Sequence, residues 1–132
     1  AVEMGNELDL IRVLWVEGGV AAGLGRREQA RAALEHVRRY FNVHRIAYDA
    51  ALASLELAVL HLEEERTAEV KTLAEEMFWI FKAQGVHKEA LAALRLFYDD
   101  ATKEEATAEL ARRLVEYLTR ARGNPGLRFE EC

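Results

Sequence analysis

The residues of this 132-residue chain that could do chemistry are four histidines, one serine, one cysteine and several paired acids, and their spacing decides what they can do. A zinc or di-iron centre needs three or four convergent ligands. No His-Glu-x-x-His occurs, and no Glu stands three residues before His36, His44, His61 or His87. Neither a metalloprotease helix nor a carboxylate-bridged iron bundle is therefore written here. His61 shares a helix face with Glu64 and Glu65, but that supplies too few ligands for a metal. His44 and His87 head similar segments and suit a structural place at a helix start. Ser54, the only serine, sits in an apolar run beside Leu55 with no nucleophile elbow around it. No phosphate loop or Gly-x-Gly-x-x-Gly is present. Asp99–Asp100 and Glu75–Glu76 read as solvated helix-face acids, and the terminal Cys132 has no second cysteine to pair with. The expectation is no catalytic residue, no cofactor and no metal.

Arginine is the other chemically capable group. The net charge is −5, yet Arg26–Arg45 carries a local +4 and Asp49–Glu76 a local −6. Such blocks either pack against one another or present a patch. Arg31, Arg38 and Arg39 can share one stripe, because they stand seven and eight residues apart, and would receive an acidic protein. Nucleic acid is disfavoured, since only Tyr40 interleaves with these arginines and the whole chain is acidic. A membrane span is excluded as well: the longest apolar run, Leu52–Leu62, is broken by Glu56. With one cysteine and no signal peptide, the expected location is cytoplasmic. The chain starts at Ala1, and the expectation is that it is a fragment of a larger protein.

The elements that must position these groups are helices. The chain holds 22 Ala, 18 Leu and a single Pro, a composition that favours helix and makes a sandwich, barrel or wound sheet untenable. Breakers mark six segments with apolar residues at three- and four-residue spacing. They run about Glu7–Leu24, Arg26–Phe41, His44–Glu64, Arg66–Ala83, His87–Asp100 and Lys103–Arg122, followed by a stop at Gly123-Asn124-Pro125-Gly126. Short connections force neighbours antiparallel, giving hairpins over about 7–41, 44–83 and 87–122 and a tail over 123–132 in which Phe129 could dock.

The hairpins repeat. Val43-His44-Arg45-Ile46-Ala47 returns as Val86-His87-Lys88-Glu89-Ala90 after 43 residues, and Arg26, Val37 and Phe41 fall on Arg66, Met77 and Phe81 at a shift of 40. Gly18 answered by Ala30, with Leu14 and Leu34 at apolar positions, resembles the tetratricopeptide repeat over residues 7–122. Leu57 and Ala58 match in the second unit, where Val70 replaces the family's Ala and Glu65 stands in the place of Gly25. The chain looks like a long-helix variant, similar to the sensor domains of bacterial transcription regulators and signalling ATPases. That resemblance implies an all-α, right-handed superhelical array of three hairpins binding protein segments on a concave face.

If the first helix of each hairpin lines that face, it presents Arg12, Trp15, Gly19 and Gly23, then Leu52, Leu55, Glu56, Val59 and Glu63, then Arg95, Tyr98 and Asp99. Arg12 and Arg95 would receive carboxylates, with Trp15 and Tyr98 as rigid apolar anchors. Val16 and Glu56 stand where the chaperone-tail clamp of the family wants Asn, which disfavours that ligand. The expected function is a non-enzymatic interaction domain for a protein segment or neighbouring domain. Its competitor is the sensor and oligomerisation domain of a bacterial transcription regulator, and a metal-binding bundle ranks third. Self-association is expected if an end helix leaves its apolar side uncovered.

Overall fold

The structure, a computed structural model, describes residues 2–129; Cys132 lies outside them. It is an all-α array of six helices: α1 (Val2–Gly23), α2 (Arg27–Val43), α3 (Ala47–Glu63), α4 (Thr67–Ala83), α5 (Lys88–Thr102) and α6 (Ala108–Ala121).

One joint is used five times. Gly25, Arg45, Glu65, Gly85 and Glu104 are the described residues with positive φ, and each lies twenty residues after the last except the final one, at nineteen. In four of these joints the amide one residue beyond bonds back across the turn, Arg26 to the Ala21 carbonyl, Ile46 to Phe41, Arg66 to His61 and Glu105 to Asp100. This pairing satisfies carbonyls that a helix end leaves orphaned and is the usual reason for a left-handed residue there. Glu65 therefore makes the same turn as Gly25, at the expense of the roughly 1–2 kcal/mol that a side chain meets in that region.

The joints also correct the repeat register. Arg45 matches Gly85, so the equivalence between the second and third hairpins is 40 residues. Under it the buried Ala50, Ala53, Leu57 and His61 fall on the buried Ala90, Ala93, Phe97 and Ala101. The 43-residue likeness of Val43–Ala47 to Val86–Ala90 does not survive: Ala47 opens α3, whereas Ala90 lies inside α5. Helix six also starts later than its periodicity suggests. The joint at Glu104 is followed by Thr107, whose hydroxyl accepts from the Leu110 amide at 3.1 Å, so the helix begins at Ala108.

Consecutive helices pack on one another, but α6 lies more extensively on α3 than on its hairpin partner α5. Ion pairs hold it there from both ends, Arg122 to Asp49 at the start of α3 and Arg112 to Glu63 at its end, 2.9 Å apart. The hairpins are thus not simply laid side by side; the last helix folds back and α3 becomes the centre, with twelve of its seventeen residues buried. Small residues allow that. Ala50, Ala51, Ala53 and Ala58 let α2, α4 and α6 approach one helix. The outermost helix, α1, rests on α2, where Gly18 is the close point: a Cβ there would stand 3.1 Å from the Ala33 Cβ. After α6 the chain turns back, with the Tyr117 hydroxyl donating to the Leu127 carbonyl at 2.8 Å and Phe129 packed edge-on against Tyr117.

Candidate functional site

A cleft of about 360 Å³ opens where α1, α3 and α6 converge over Leu34 of α2. That volume is within the range of small ligand pockets. Its α1 wall is Gly19, Ala22 and Gly23, and nothing lies within 4 Å of where a Cβ on either glycine would stand. The α3 wall carries Glu56, Val59, Leu60 and Glu63, and α6 contributes Arg112 and Val115. One side of the cleft is therefore bare backbone, the rest largely aliphatic, and the charges are two acids and one arginine.

The two acids are in opposite states. Glu63, at the rim, meets Arg112 at 2.9 Å and Arg27 at 3.8 Å. Among the described residues Glu56 meets no cation; both of its carboxylate oxygens accept from the Trp15 indole N–H at 3.3 Å. Burial pushes the Glu56 carboxyl above the ordinary carboxylate range, and the single indole bond opposes this only in part. Other partly buried acids are treated differently. Asp49 has Arg122, Glu64 has Arg31 at 3.2 Å, and Glu35 has Arg38, which holds its carboxyl below the ordinary value through their hydrogen bond.

Of the residues singled out in the sequence, the structure brings Trp15, Gly19, Gly23, Glu56, Val59 and Glu63 to one place. Trp15 is half-buried, stacks edge-on with Phe41 at 5.3 Å and bridges the two parts of the core. Arg12 is exposed on α1. Arg95 and Tyr98 are elsewhere: Arg95 reaches Asp99 of its own helix at 4.0 Å, and Tyr98 stacks on Phe78 between α4 and α5 at 5.3 Å. Of the arginine stripe, Arg31 and Arg38 turn inward and Arg39 stays exposed. Arg31 pairs with Glu28 and Glu64, the buried Arg38 with Glu35 and Glu76, and Arg39 with Glu35. The opposite charge blocks thus meet each other across α2, α3 and α4, and the charge of Arg31 and Arg38 is met by internal carboxylates.

Arg112 and Val115 were invisible as site residues because periodicity defines which face of α6 is apolar but not which helix that face meets. The histidines do not converge. Among the described residues no group of three or more His, Cys, Asp or Glu could hold a metal, and no helix is long and apolar enough to cross a membrane. His61 is buried with its Nδ1 unpartnered, and burial keeps its imidazole below the ordinary 6.5.

Beside the cleft, α1 carries a second feature. Leu10, Val13, Val16, Val20 and Leu24 are all more than half exposed. Leu10, Val13, Val20 and Leu24 occupy a three-four seam in which Glu17 takes the vacant place. No protein-family model, curated protein or solved structure gives a significant match to the chain.

Proposed function

We propose that the chain is a non-enzymatic, helical-repeat interaction domain, similar to tetratricopeptide arrays, that holds a protein segment or a neighbouring domain against α1 and its concave cleft. The observation that carries this reading is the row of exposed aliphatic residues that α1 presents to water beside Asp9, Arg12 and Glu17. Ile11, Trp15 and Ala21 face the core, Gly19, Ala22 and Gly23 face the cleft, and Leu10 to Leu24 line the solvent side. An exposed apolar surface of this kind marks an interaction site. Arg12 lies on the same helix and would receive a carboxylate at the edge of the partner.

The three-four seam also supports a second reading, self-pairing of α1 in the oligomerisation domain of a bacterial transcription regulator. One experiment addresses both. A photo-crosslinking residue is placed at Val16 and, as a control, at Glu109 on the outer side of α6. The expected result is a discrete adduct at Val16 alone, lost when Val20→Glu is added. An adduct of twice the chain's mass would select self-pairing. No adduct, or the same adduct from Glu109, would count against α1 as the docking wall.

A further inference from the structure

We propose that the cleft between α1, α3 and α6 receives a lysine or arginine side chain of a bound protein segment, with its cation seated on Glu56. The inference rests on the reading of α1 as a docking wall and adds the chemistry that the partner must bring. Three observations carry it. Glu56 faces the cleft and among the described residues is met only by the Trp15 N–H, while Asp49, Glu35, Glu63 and Glu64 each meet an arginine of the chain itself. A desolvated carboxylate is stabilised chiefly by a cation placed within hydrogen-bond reach, and a purely apolar occupant would strip its remaining water without replacing it. An anionic occupant would be repelled.

The shape of the cleft selects the same ligand. Leu34, Val59 and Val115 offer aliphatic wall to the methylene stem that lysine and arginine carry behind their charge. Gly19 and Gly23 leave the opposite wall open, so the main chain of a segment can come close to α1. Arg112 at the rim is tied to Glu63, as is Arg27, so the rim acid is already occupied and Glu56 is the acid left for an incoming cation.

The test uses two peptides that differ at one position, acetyl-Ala-Ala-Leu-Lys-Leu-Ala-Ala-amide and the same peptide with norleucine for lysine. Binding is followed by the indole N–H resonance of Trp15 in a Trp79→Phe background, which leaves one tryptophan signal. The lysine peptide is expected to bind at least about tenfold more tightly than the norleucine peptide, as a close buried charge pair does. That preference should vanish in Glu56→Gln and persist in Glu63→Gln. Equal or tighter binding of norleucine by the unsubstituted protein, or no binding of either peptide, overturns the proposal. So does a lysine preference that survives Glu56→Gln, since it would then come from the overall negative charge. Should Glu56→Gln not fold, the two peptides are compared on the unsubstituted protein at low and at high salt: a lysine preference that high salt abolishes comes from the overall negative charge and overturns the proposal, and one that persists supports the seat on Glu56. Loss of the Val16 crosslink with the lysine preference intact would sink the docking reading alone; the reverse result would sink this one alone.

Discussion

Helices α1 and α3 have nearly the same kind of sequence and opposite surroundings. Each is rich in aliphatic and small residues with little distinction between its faces. In α3 that uniformity is consumed by three neighbours, α2, α4 and α6, and even Asp49, Ser54 and His61 are drawn inside. In α1 only one side is covered, and five large aliphatic residues face water. Composition alone therefore does not bury a helix; the number of neighbours does. A helix so rich in apolar residues with one neighbour is a surface awaiting contact.

The contrast can be broken most directly at a matched pair of positions. Leu55→Ala, at a residue of α3 with no exposed surface, is expected to lower unfolding free energy by about 2–5 kcal/mol in urea. Val20→Ala, at a residue of α1 that is 56% exposed, should change it by less than about 0.5 kcal/mol. Equal losses would mean that α1 is as deeply integrated as α3.

Arg38 sharpens the comparison because it binds the elements that enclose α3. Its guanidinium links Glu35 on α2 with Glu76 on α4 at 3.1 Å. Arg38→Ala should cost about 2 kcal/mol by leaving these acids without their buried donor. The same variant tests the pH dependence. Glu35 is held below its ordinary value chiefly by the Arg38 hydrogen bond, so its stabilising contribution is fully present above the ordinary carboxylate range and is lost as pH falls through the lowered value. Acid titration of unfolding should show this loss in the parent protein and a smaller one in Arg38→Ala, where Arg39 still pairs with Glu35.

The smallest effect separates the two sides of α1 itself. Gly19→Ala adds a methyl into open space and should stabilise the helix by roughly 0.5–1 kcal/mol. At Gly18 the added methyl meets Ala33, and the same change should stabilise less or destabilise. If thermal unfolding shifted equally for both, the α1 to α2 crossing would be looser than its geometry states.

Much of this fold was legible before any coordinates. Six helices, their breakers and the antiparallel order follow from apolar spacing and the scarcity of Gly and Pro, and the acid and arginine blocks were visible as a charge pattern. Which arginine meets which acid was not, since Arg38 to Glu76 spans 38 residues and depends on where α4 settles. The break at Glu65 was legible from its match to Gly25, whereas Arg45 and Glu104 fell inside segments read as helix, because nothing in either side chain announces a left-handed backbone. The concave residues Gly19, Glu56 and Val59 followed from the repeat logic, whereas Arg112 did not: an open array would never bring α6 to α3. Tyr98 and Arg95 failed to join them for the same reason, as α5 turns its Tyr98 toward Phe78 of α4.

The evenly spaced left-handed joints have a consequence for how such a chain tolerates length change. Because each helix plus its joint occupies nearly the same stretch, the buried residues Ala30, Ala50, Val70, Ala90 and Ala111 recur at the same point of successive helices. Duplicating or deleting a twenty-residue unit would restore the local turn and its crossing, while a change of ten would leave every later helix rotated away from its contacts. The limit is α6. Arg112 within it and Arg122 just past its end reach back to acids near the two ends of α3, so a unit added between them would have to break both grips before the array could grow.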